Sequence, residues 1–92
     1  MDLVLNLKRE YFLEVKAGTK KEEYRQCTPY WQKRIEGKSF DRIIIKLGYP
    51  KSSETNKILK FKWNGYKKKK IKHIHFGNEE VEVYAIKLGD QI

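Results

Sequence analysis

One cysteine, two prolines and no aliphatic run longer than three residues, as at Ile43 to Ile45, are the scarcities of this 92-residue chain. A lone thiol, Cys27, excludes an internal disulfide and any multi-cysteine zinc site. Aliphatic runs this short exclude a membrane-spanning helix, and no segment joins a long apolar stripe to a basic face. The first residues lack the basic, apolar and small-residue zones of a signal peptide, so a cytoplasmic location is expected. Acidic residues are also few: 12 Asp and Glu stand against 21 Lys and Arg, leaving a formal net charge of +9. That imbalance attracts polyanions, nucleic acid before all others, and repels basic partners.

What is present fits one domain over 1–92. The apolar fraction is 39%, but 13% of the residues are aromatic, and large rings bury much surface each. Leu3, Leu5 and Leu7 alternate as in a half-buried strand. Tyr11 and Val15 recur at helical spacing over Arg9 to Ala17, and Gly18 ends that helix. Lys21 to Gln26 reads as a strand. Thr28-Pro29 then supplies an N-cap and a first-turn proline for a second helix carrying Tyr30, Trp31, Arg34 and Ile35. Phe40 to Leu47 predicts a central strand with Ile43, Ile45 and Leu47 on one face. Gly48 to Asn56 reads as a loop able to cover a site. Ile58 to Trp63, a hairpin turn at Asn64-Gly65, a return strand from Tyr66 to Ile74 and a last strand from Glu80 to Leu88 complete the chain. The expected class is α+β, strand-dominated, with two short helices near the N-terminus and a small barrel that closes on itself to protect its edges.

Gly18-Thr19-Lys20-Lys21-Glu22-Glu23-Tyr24-Arg25 reads G-x-K-x-x-E-x-R, which resembles the motif of the ASCH family in the PUA-like superfamily. The likeness extends through Pro29-Tyr30-Trp31, Phe40-Asp41 to Gly48-Tyr49, Trp63-Asn64-Gly65-Tyr66 and Ile86-Lys87-Leu88. It implies a PUA-like β-barrel with an RNA-binding cleft at its mouth. Some family members are described as ribonucleases or as amidohydrolases on acetylated cytidine. The amidohydrolases carry a threonine nucleophile where this chain has Glu23, and a carboxylate does not readily replace a hydroxyl in forming an acyl-enzyme.

Strand alternation sends Glu23 and Arg25 to one face, and the turn at Gly18 brings Lys20 beside them. Lys20 is suited to a phosphate, Arg25 to a phosphate or a base edge, and Glu23 to an exocyclic amine. A plain structural ion pair explains the same residues. If the protein is an enzyme, Lys20 and Glu23 are the catalytic candidates, with a water activated by general base catalysis. Tyr30, Trp31 and Tyr66 are candidates for a stacking wall, and Lys67, Lys68, Lys69 and Lys70 for a phosphate-binding strand, although lysines also blunt exposed strand edges. His73 and His75, with Glu79 or Glu80, lack a diagnostic metal spacing, so neither metal nor cofactor is expected. The leading expectation is binding of RNA or a nucleotide. The alternatives are a hydrolase on RNA or a modified nucleoside, and an adaptor for an acidic protein.

Overall fold

The computed structural model describes residues 1–72 and 77–92. Five strands and two α-helices alternate as β1 (Asp2–Leu7), α1 (Arg9–Lys16), β2 (Glu22–Gln26), α2 (Pro29–Ile35), β3 (Arg42–Leu47), β4 (Ile58–Lys72) and β5 (Glu80–Gln91), with a 3-10 turn at Thr55–Lys57. The strands form one mixed sheet in the order β1-β3-β4-β5-β2. Only β1 and β3 run parallel, and all other neighbours are antiparallel. No described helix is long and apolar enough to cross a membrane.

Period-two alternation places Leu3, Leu5, Leu7, Ile43, Ile45, Phe61, Tyr84 and Ile86 on one concave face, where they form the core cluster. Phe12 and Val15, three apart on α1, and Ile35 of α2 close over it. Val83 is fully buried but lies outside this cluster, because its position between Glu82 and Tyr84 turns it to the opposite face. Helix α2 starts where the sequence places it: the Thr28 hydroxyl accepts the Trp31 N–H, and Pro29 opens the first turn.

Two expectations need correction. Asn64-Gly65 is not a hairpin turn but lies inside the 15-residue strand β4. Gly65 takes a φ of 82°, and the register against β5 slips between Trp63 and Tyr66. A second slip, between Phe61 and Trp63, is taken up on β5, where a Cβ on Gly89 would stand 2.7 Å from the Lys62 carbonyl. Paired bulges of this kind bend a sheet instead of reversing it. Residues 58–62 of β4 pair with β3, and from Phe61 onward the strand pairs with β5 on its other edge.

The expected barrel closure is also not made. The edge strands β1 and β2 are not hydrogen-bonded to each other as strands. Glu23 and Arg25 point inward from β2, opposite Ile86 and Tyr84 of β5. The Arg25 Nη2 donates to the Asn6 carbonyl of β1 at 3.1 Å, so one guanidinium spans the two edges.

Candidate site in the gap between the sheet edges

The gap opens into a cleft of about 920 Å³ between β1 and β2, flanked by the starts of α1 and α2. Its floor is built by the motif segment. After α1 the chain folds back on that helix: the Thr19 N–H, the Lys20 N–H and the Thr19 hydroxyl all converge on the Glu14 carbonyl, at 3.1, 3.3 and 3.1 Å. This collar aims Lys20 into the cleft, while β2 delivers Glu23 and Arg25 on alternate residues.

Glu23 is the only buried charged side chain among the described residues, 4% exposed. Its Oε1 accepts from Lys20 Nζ at 2.9 Å and from the Tyr24 N–H at 3.0 Å, with Arg25 Nη1 at 3.5 Å. Its Oε2 is buried with no hydrogen-bond partner. A buried acceptor left unmade costs about 1–3 kcal/mol, more when charged, which marks it as a place for a donor. Arg25 Nη1 donates to the Tyr24 carbonyl at 2.9 Å, and the guanidinium faces the Trp31 ring at 5.3 Å. Burial pulls the Arg25 guanidinium below its ordinary pKa, and the nearby Glu23 carboxylate partly offsets this. Lys20 Nζ lies 4.7 Å from the Tyr11 ring centre and 5.9 Å from that of Tyr24.

Lys20, Glu23, Arg25, Tyr30 and Trp31 thus line one cleft. Tyr66 does not join them: it points to the core side of β4 and packs edge-on against Tyr84, 5.5 Å between centroids. The lysine run is apart from the cleft as well. Alternation splits it, and Lys68 pairs with Glu36 at 2.9 Å on one face while Lys69 pairs with Glu22 at 2.8 Å on the other. Lys67 and Lys70 are exposed. The pairing of β4 with β5 leaves Lys69 against the outer face of the motif segment, at Glu22, and none of the four lysines lines the cleft.

Other residues that sequence reasoning does not single out as site candidates also line the cleft. Lys8, Arg34, Lys38 and Tyr49 are among them, and Tyr49 is 93% exposed. The Arg34 guanidinium lies 4.1 Å from the Tyr30 ring centre, a stack that the four-residue spacing on α2 foreshadows. No signal in the sequence marks Lys8 or Lys38, whereas Tyr49 belongs to the Gly48 to Asn56 loop that reads as able to cover a site. Among the described residues no cluster of His, Cys, Asp and Glu suits a metal, and the His73 and His75 pair lies outside those residues. Cys27 is half-buried, and burial pushes its thiol above the ordinary pKa, as expected for an unreactive thiol.

Comparison of the chain with protein-family models, curated proteins and solved structures finds no match in any of the three.

Proposed function

We propose that the protein binds RNA or a nucleotide, as an ASCH-like module, by admitting a base to the cleft floor formed by Lys20, Glu23 and Arg25. The observation that carries this reading is the buried Glu23 carboxylate with one oxygen satisfied and the other unpartnered. A structural ion pair needs no orphaned oxygen. An N–H on a base edge supplies the missing donor, and the Trp31 and Tyr30 rings supply stacking surfaces beside it. Stacking of this kind contributes about 1–3 kcal/mol per base.

The hydrolase alternative rests on the same atom, since Oε2 can accept a proton from water. Lys20 donates to the other oxygen of that carboxylate at 2.9 Å and holds it in place. One panel separates the two readings: ribonucleotides, short homopolymers and acetylated nucleosides, scored for both binding and product. Binding that is weakened by Arg25→Lys, without product, supports the module. Product formation lost in Glu23→Gln supports the hydrolase. Retention of neither, with capture of an acidic polypeptide, leaves the adaptor reading.

A further inference from the structure

The cleft does not end at its motif floor. It follows β1 along its whole length, from Met1 to Lys8, and β1 has no strand partner on that side among the described residues. Lys8 closes one end. Lys38 stands at the other, three residues before Asp41, whose N–H donates to the Met1 carbonyl at 2.9 Å. Seven residues of extended chain separate the two ends, about 20 Å.

The cations along this path face one cleft, which other exposed lysines such as Lys67 and Lys70 do not line. Lys8 and Lys38 are exposed and carry no ion pair among the described residues, and Arg34 is held only against the Tyr30 ring. The acidic groups on the same wall are Asp2, which is bound to Arg42 at 2.7 Å, Glu23, which is bound to Lys20, and Glu14, which is exposed. Cations without partners cost the folded state self-repulsion and gain from a polyanion. At the rim, Tyr49 leaves nearly its whole ring in water beside the same cleft. At about 920 Å³ the cleft lies at the upper end of the roughly 300–1,000 Å³ usual for small ligands.

Resting on the reading above, we infer that the ligand is a single-stranded oligonucleotide, not a free nucleoside. One base enters the floor at Glu23, the flanking phosphates lie at Lys8, Arg34 and Lys38, and Tyr49 stacks on a neighbouring base. A strand stacked at about 3.4 Å per nucleotide crosses the 20 Å path in about six residues, and an extended one crosses it in fewer. A duplex is excluded by the same geometry, since its bases are already paired and cannot meet Glu23.

The test is a length series of fluorescently labelled single-stranded homopolymers, one to ten nucleotides, titrated at two salt concentrations. Affinity rises with length and levels off near six nucleotides. The Lys8→Ala/Lys38→Ala variant lowers that plateau and makes the log–log salt slope shallower by about 1.4, two contacts at about 0.7 each. Tyr49→Ala lowers the plateau without changing the slope. Lys67→Ala/Lys70→Ala, the exposed pair on β4, leaves both unchanged. Affinity that is flat from one nucleotide onward, yet weakened by Arg25→Lys, overturns the oligonucleotide track while the base site stands. A slope that responds only to the β4 variant also overturns it, and failure of every length to bind removes the base site and the track together.

Discussion

The cleft and the lysine-rich half of β4 carry the same sign of charge, but the fold treats them in opposite ways. On β4, Lys68 and Lys69 are exposed and each is answered by a carboxylate, Glu36 and Glu22, while Lys67 and Lys70 are exposed and line no part of the cleft. In the cleft a single buried carboxylate faces both Lys20 and Arg25 and keeps one oxygen free, while Lys8 and Lys38 at the rim make no ion pair among the described residues. Density of lysine along a sequence is therefore a poor guide to where a polyanion is bound. What matters is which cations the tertiary structure gathers around a cleft.

The largest expected effect comes from removing Glu23. Glu23→Ala leaves the Arg25 guanidinium buried beside Lys20 without a counter-charge, and breaking a buried pair in this way costs about 3–5 kcal/mol. Urea denaturation should show that loss, whereas Glu22→Ala should barely move the midpoint because its pair with Lys69 is exposed. Equal losses at the two sites would erase the distinction between the regions.

Gly89→Ala comes next. Its Cβ would press on the Lys62 carbonyl at 2.7 Å, inside the bulge that bends β4 and β5, and strain of this order costs about 1–3 kcal/mol. Arg25→Lys is milder: the charge beside Glu23 remains, but the fork that reaches the Asn6 carbonyl is lost. A loss of about 1–2 kcal/mol is expected, together with faster amide exchange along β1.

Legibility from sequence followed the same division. Local signals were sound: Thr28-Pro29 started α2, alternation oriented Leu3 to Leu7 and Ile43 to Leu47, and Glu23 and Arg25 share a face because strands repeat every two residues. Where a local signal competes with sheet pairing, pairing wins. Asn64-Gly65 has the composition of a hairpin turn, yet the hydrogen bonds offered by β5 on the far side carry β4 straight through it as a bulge. Tyr66 reads from sequence as part of a stacking wall, but the register opposite Ile86 places its ring against Tyr84. Lys8, Lys38 and Tyr49 reach the cleft from three separate connections, and no spacing in the chain encodes that convergence.

The smallest effect is the part of the pH dependence that the exposed Lys69–Glu22 pair contributes. The hydrogen bond from Lys69 holds the Glu22 carboxyl below its ordinary pKa. A depressed carboxyl contributes stability above its unfolded value and loses it as the pH falls through the folded one. Lys69 is held above its ordinary value by the same bond, so its contribution is present below about 10.5 and fades as the pH rises further. Comparison of wild type with Lys69→Met between pH 3 and 7 should show the two midpoints converging at the acid end.

The central claim, that the gap between β1 and β2 is the ligand site, can be read from the two tryptophans. Trp31 faces Arg25 in the cleft, and Trp63 packs against Phe40 and Tyr66 outside it. Titration of the 15N-labelled protein with a single-stranded hexanucleotide should shift the Trp31 indole resonance and the amides of β2, leaving the Trp63 indole and the amides of Lys67 to Lys72 in place. Shifts confined to Lys67 through Lys72, with the Trp31 indole unmoved, would contradict the account.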